Sequence, residues 1–191
     1  NDNENDSDSD SGNDENEDGN VDHIMPPLKD HQAMHLHNDC WLFYDSSAGL
    51  FTYSLTSSTF SKLIYDSTEH VPIGMSYYNA VIVAPEGHKY MLLFGGNIRV
   101  NDDARLMHAI DLESLKYTKV DMLSSCATTS DIIPRRLGGQ SLVHMPPSSG
   151  KSTIYETCIV YGGYNADNRR TESTVYVLNI TKSNISKNDI E

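Results

Sequence analysis

Within ten residues the chain places His31, His35, His37, Asp39 and Cys40, five side chains of the kinds that ligate metal ions. Their spacing argues against a site. Ligands crowded onto one short extended segment do not close a tetrahedral cage without a second segment, so the stretch reads as polar linker and no metal is assigned. Further histidines at His70, His88, His108 and His144 are scattered. Ser149-Gly150-Lys151-Ser152 has the tail of a phosphate-cradling loop. That loop also needs a glycine five residues before Gly150 and a helix after it. Position 145 is Met, and the β-rich run 153–158 follows, so this is a polar hairpin tip. No catalytic residue and no cofactor is assigned.

Charge offers a second kind of chemistry. Arg135-Arg136 and Arg169-Arg170 fall in connecting stretches, where paired guanidinium groups suit an acidic partner or the chain's own acidic end. Ser7 and Ser11 each have an acid three residues on (Asp10 and Asp14), the pattern of an acidophilic kinase substrate. Phosphates there would add to an arm already anionic.

The first 20 residues hold nine acids, no base, and otherwise only Asn, Ser and Gly. Such a segment has nothing to bury and repels itself, so residues 1–22 are expected to be a disordered acidic tail, with 23–40 a linker. The tail's first 20 residues carry −9 of the net −13, leaving −4 on the other 171 residues. Nucleic-acid or anionic-membrane partners are not expected, since both require clustered Lys and Arg. No apolar run approaches the roughly 18–20 residues of a membrane span, and no signal peptide opens the chain. A first residue of Asn leads us to expect a processed or excised chain. Cys40, Cys126 and Cys158 are odd in number and lack metal-like spacing. They fit a reduced, cytoplasmic compartment; the sequons at Asn5, Asn179 and Asn184 arise readily by chance in a chain so rich in Asn and Ser.

The chain also repeats itself. Tyr90-Met91-Leu92-Leu93-Phe94-Gly95-Gly96-Asn97 returns as Thr157-Cys158-Ile159-Val160-Tyr161-Gly162-Gly163-Tyr164-Asn165, the glycine pairs lying 67 residues apart. Downstream, Ala109-Ile110-Asp111-Leu112 matches Val177-Leu178-Asn179-Ile180, and Tyr53-Ser54-Leu55 matches both without a preceding glycine pair. Each is an apolar strand, a short polar turn-former and an aliphatic residue, followed by one large apolar residue: Phe60, Tyr117 or Ile185. Upstream, 72–81 aligns with 134–143. One unit is therefore four short strands, expected at 77–84, 89–95, 106–112 and 116–121, then at 140–145, 154–162, 173–180 and 184–187. No stretch holds an apolar period of 3.6 for three turns, so the fold class is all-β. Repeated four-stranded antiparallel units are the pattern of β-propeller blades.

An apolar strand ending in Phe-Gly-Gly or Tyr-Gly-Gly, then Ile-Asp-Leu and an aromatic residue, resembles the kelch repeat, of the kind found in fungal kelch proteins rich in Asn, Asp and Ser. The resemblance covers 41–187: a partial blade at 41–65, and blades at 72–122 and 134–187. Kelch units run about 50 residues; the longer spacing here fits insertions at 123–133 and 146–153. The tryptophan position of the family holds Tyr117 and Ile185, and the usual Arg-x-Gly-His-Ser lead-in is reduced to Arg136-Leu137-Gly138-Gly139-Gln140-Ser141. The resemblance implies a kelch-like β-propeller fragment whose Gly95, Gly96, Gly162 and Gly163 are structural. It implies a non-enzymatic scaffold that binds protein partners through its loops, in signalling, cell polarity or ubiquitin-ligase adaptor assemblies. No BTB or F-box segment is visible. The remaining blades would come from a longer parent chain or from another chain. A second family-level reading is the propeller of a galactose-oxidase-like copper enzyme, whose tyrosine and histidine ligands and Tyr–Cys crosslink find no matching set here.

Deleting residues 1–20 is expected to leave the melting temperature unchanged, because the segment buries nothing. A clear fall on thermal melting would mean that the tail docks, with the arginine loops as its nearest electrostatic partner.

Overall fold

The computed structural model describes residues 27–28, 30–64, 76–97, 107–120, 137–147, 154–165 and 169–185. Ser7, Ser11, Arg135, Arg136 and the 149–152 motif lie outside these residues. Within them the chain is all-β. A first sheet joins β1 (Gln32–His37), β2 (Cys40–Asp45), β3 (Gly49–Ser54) and β4 (Thr59–Leu63) in sequence order. A second joins β5 (Ser76–Val83), β6 (Tyr90–Asn97), β7 (Met107–Asp111) and β8 (Tyr117–Val120) in the same order. After the short β9 (Leu137–Gly138) comes β10 (Ser141–Met145), which joins β11 (Tyr155–Tyr161). Beyond β11 lie β12 (Tyr164–Asn165), β13 (Arg170–Thr171) and β14 (Val175–Thr181). The third sheet orders β10-β11-β14, and a small one orders β13-β12-β9. Every pairing is antiparallel. Among the described residues no helix is long and apolar enough to cross a membrane.

Side chains alternate across each strand, so each sheet has two faces. Leu42, Tyr44 and Leu50 of the first sheet pack on Tyr78, Ala80, Met91, Leu93, Ile110 and Tyr117 of the second. The opposite face of the second sheet, with Val83, Leu92, Phe94, Met107 and Ala109, packs on Leu142, Cys158, Val160, Leu178 and Ile180 of the third. The middle sheet is covered on both sides. Accordingly Tyr90–Phe94 of β6 are buried without a break, whereas burial alternates along β14 (Val-Tyr-Val-Leu-Asn-Ile-Thr), with Val175 and Val177 exposed and Leu178 and Ile180 buried. Burial of Met91, Leu92, Leu93 and Phe94 stabilises the fold by about 1.5–3 kcal/mol for each side chain.

Two expectations are corrected. The supposed linker 23–40 contains β1, which makes the first sheet a full four-stranded unit and not the partial one expected at 41–65. There His35 and His37 interleave with Met34 and Leu36, which alternate onto the buried side. Of the strand expected at 184–187, residues 184 and 185 belong instead to a single helical turn, α1 (Lys182–Ile185), and 186–187 lie outside the described residues. In the first two sheets the turn after the third strand is held by a side chain. Ser54 Oγ accepts from the Ser57 amide at 3.3 Å, and Asp111 Oδ1 accepts from the amides of Glu113 and Ser114 at 2.8 and 3.1 Å. The equivalent Asn179 Oδ1 accepts instead from Thr157 Oγ1 at 3.2 Å. Without that anchor the chain coils, yet Ile185 still reaches the core beside Val120, as Tyr117 does beside Ile110.

Close approach requires Gly95, Gly96 and Gly163, whereas a Cβ on Gly162 would meet nothing nearer than 3.9 Å. All four glycines have positive φ, between +71° and +101°. A Cβ on Gly95 would stand 2.2 Å from Gln140 Nε2 and 2.5 Å from the Leu137 carbonyl. One on Gly163 would stand 3.0 Å from Gln140 Cβ and from the Gly138 carbonyl. The segment 137–140 thus threads between the two pairs. By contrast Gly87, at φ +81°, has open space where a Cβ would go. Gly95→Ala is therefore expected to destabilise by about 3 kcal/mol or more, combining left-handed strain with a backbone clash, and Gly87→Ala by about 1 kcal/mol from strain alone. Chemical denaturation of the two variants distinguishes these; equal losses would place the cost in φ and not in the contact.

Candidate functional site

Each sheet is entered in the same way. Asp30, Tyr77 and Gly139 have φ of +56°, +62° and +67° and immediately precede His31, Tyr78 and Gln140, of which Tyr78 and Gln140 are buried and His31 is exposed. In the second sheet Tyr78 donates its hydroxyl to the Tyr44 carbonyl of the first at 3.0 Å. In the third, Gln140 Nε2 donates to the Phe94 carbonyl of the second at 2.7 Å. Asn79 Nδ2 donates to the Gln140 carbonyl, and the Gly139 amide to the Tyr77 carbonyl at 2.8 Å, so the two lead-ins are tied together.

Left-handed backbone costs glycine little; a β-carbon there costs about 1–2 kcal/mol. At this position Gly139 is unremarkable, but Tyr77 is a large aromatic held in strain and 67% exposed. Strain maintained at an exposed aromatic points to use of that side chain. Its surroundings have the composition of a protein-binding surface. Gly138, whose Cβ position lies 3.5 Å from Tyr77 Cβ, pairs with the exposed Tyr164. Tyr164 pairs in turn with Thr171, and the same hairpin carries Arg169 and Arg170, both exposed. Asn165 Nδ2 donates to Glu172 Oε1 at 2.8 Å, and the Glu172 amide donates to the Gly163 carbonyl at 2.9 Å. The hairpin is thereby fixed to the second glycine pair, and Arg169 itself sits at φ +57°.

Of the sequence candidates, the structure joins Arg169 and Arg170 to this surface and places Gly95, Gly96, Gly162 and Gly163 beneath it. Tyr117 is buried between the first two sheets, its hydroxyl bonded to His108 Nδ1. Phe60 lies half-buried on the far face of the first sheet, 4.5 Å from Tyr53 and 5.7 Å from Phe43 between ring centroids. His35 is in β1, its Nε2 3.0 Å from the Asn38 carbonyl, with its ring edge-on to Trp41. Among the described residues no group of three or more His, Cys, Asp or Glu is arranged to hold a metal ion.

Sequence reasoning missed two arrangements. Cys158 and His144 are direct cross-strand partners, and His144 Nε2 lies 2.6 Å from the buried Glu156 Oε2: a thiol, an imidazole and a carboxylate on one face. The order of groups is that of a cysteine nucleophile with its base. Burial, and next the Glu156 charge, push the thiol up to about 12, so it stays protonated and packs as core. The other is His88, whose Nε2 lies 2.8 Å from Asp111 Oδ2 and whose Nδ1 lies 3.3 Å from Glu113 Oε2. Tyr77 also escaped notice, although the self-alignment of 72–81 with 134–143 sets it opposite Gly139.

No protein-family model and no curated protein matches this chain.

Burial works to raise the Asp111 pKa, but hydrogen bonds from His88 and from the amides of Ser114 and Glu113 prevail, and it lies below its ordinary 3.8. A carboxylate depressed by folding contributes stability that is fully present above its unfolded pKa and fades as pH falls through the folded value. Asp111→Asn is therefore expected to lose part of the drop in melting temperature that wild type shows below about pH 4, and to be less stable at neutral pH. Parallel acid limbs in melts of the two proteins would refute the anchoring role of this carboxylate.

Proposed function

We propose that this chain is a non-enzymatic protein-interaction scaffold, a kelch-like propeller portion whose three main sheets are successive blades. Its surface of Tyr77, Tyr164, Arg169 and Arg170 holds an acidic protein partner. The observation that carries this reading is Tyr77: an exposed aromatic kept in a left-handed backbone at the position where the next unit uses glycine. Tyrosine and arginine are the residues that most often dominate binding energy at such surfaces, and paired arginines suit carboxylates. The wider setting we propose is a cytoplasmic signalling, polarity or ubiquitin-ligase adaptor assembly. Blades beyond these three would come from a longer parent chain or from another chain.

The test compares stability with binding. Tyr77→Asn keeps a residue that tolerates left-handed backbone while removing the ring, so the melting temperature is expected to hold or rise. Affinity for an acidic protein retained from cytosolic extract by the immobilised wild type is expected to fall about tenfold or more. Arg169→Glu with Arg170→Glu should abolish retention. Undiminished retention by both variants would remove this surface from the function.

A further inference from the structure

Among the described residues, the third sheet has one face packed on the second sheet and one exposed. Cys158, Val160, Leu178 and Ile180 face the second sheet, whereas Val143, Tyr161, Val175 and Val177 on the other face are all exposed, Val177 at 61%. They form one surface, because Tyr161 pairs with Ser141 and Val175, and Ile159 with Val143 and Val177. A contiguous apolar face of this kind marks an interaction site.

What covers it follows from the two junctions already inside the chain. Strand pairing makes Trp41, Met91 and Cys158 equivalent, since they face Tyr53, Ile110 and Leu178. Three residues on, Tyr44, Phe94 and Tyr161 are equivalent too. The Tyr44 and Phe94 carbonyls each receive a hydrogen bond from the lead-in residue of the next sheet, Tyr78 and Gln140. Tyr161 is the third such position, and no further sheet follows it among the described residues. At the other end of the stack, the first sheet carries a lead-in of the same kind, Asp30 at φ +56° followed by His31, an N–H donor. The face behind it bears Trp41, Phe43, Tyr53 and Phe60. This chain therefore holds both halves of the junction that it uses twice internally, one at each end.

We propose that a second copy of this chain stacks head to tail on the third sheet, setting its Trp41–Phe60 face on Val143, Val175 and Val177 and its His31 ring on the Tyr161 carbonyl. The contact is heterologous, so each copy keeps one junction face open unless the assembly closes on itself. It rests on the reading of the three sheets as successive repeats, and it is independent of the Tyr77 surface.

Trp41 is the chain's one tryptophan and lies on the first-sheet face, which makes the two ends separately readable. The full chain is followed by sedimentation velocity and tryptophan emission over a range of concentrations. Mass is expected to rise above the monomer while Trp41 emission shifts to shorter wavelength in step. Val177→Glu buries a charge in the junction and is expected to weaken association about tenfold or more, and so to suppress the Trp41 shift although it sits at the opposite end of the molecule. His31→Ala should weaken it a few-fold. A monomer at every concentration overturns the inference, as does association that leaves Trp41 unchanged, the result of third sheets pairing with each other or of contact elsewhere. Indifference to Val177→Glu overturns it equally. Failure of the repeat reading itself would appear differently, as a loss of cooperative melting in Gln140→Ala no greater than at an exposed site.

Discussion

One hydrogen bond and the space around it fix the relation between the second and third sheets: the Gln140 side-chain amide on the Phe94 carbonyl, at 2.7 Å. Gln140 is buried, so the bond forms where water does not compete, and its loss would leave polar atoms unsatisfied. It forms only because Gly95 has no side chain, since a Cβ there would overlap the amide nitrogen. On the far side Gly163 clears space for Gln140 Cβ in the same way. The glycines are therefore not simply turn residues. They are the empty half of a joint whose filled half is 137–140. The first junction uses a different filling, Tyr78 on the Tyr44 carbonyl with the two rings edge to face at 5.6 Å, and has no glycine pair. Asp45 stands there instead and spends its side chain on the Ser47 and Ala48 amides of its own hairpin.

Much of this architecture was legible in the residues. Phe94-Gly95-Gly96 and Tyr161-Gly162-Gly163 declare their period, and the apolar run of β6 signals cover on both faces. What stayed hidden was hidden for identifiable reasons. In β1 the alternation of Met34 and Leu36 is only two residues long and is interleaved with histidines that suggest other chemistry. After Asn179 the polar stretch of the third unit looks like the turns after Ser54 and Asp111, but Asn179 Oδ1 is taken up across the sheet by Thr157 and a helical turn follows Thr181. Pairing across strands is likewise what brings His144, Glu156 and Cys158 together, and no local spacing encodes it.

The candidate surface was legible only in part. Arginine pairs in loops are visible to any reader of charge, but Tyr77 sits in an apolar stretch, Tyr77-Tyr78, where the second tyrosine is core and the first reads as more of the same. Its meaning lies in a comparison within the chain: the unit 62 residues later carries Gly139 at the same left-handed backbone. A repeat protein supplies its own reference for what a position needs, and a departure from that reference marks where something beyond folding acts on the side chain.

The middle sheet's double cover has a consequence for the order in which the molecule opens. Amide protons exchange with solvent when the structure around them parts. The first and third sheets can each part from one neighbour and still leave the second sheet packed on its other side. Exposing β6 requires both junctions to fail. Exchange should accordingly be graded by position in the stack and not by strand length or composition. The slowest protons should belong to Met91, Leu92 and Leu93, at the centre of a chain whose two ends breathe around them.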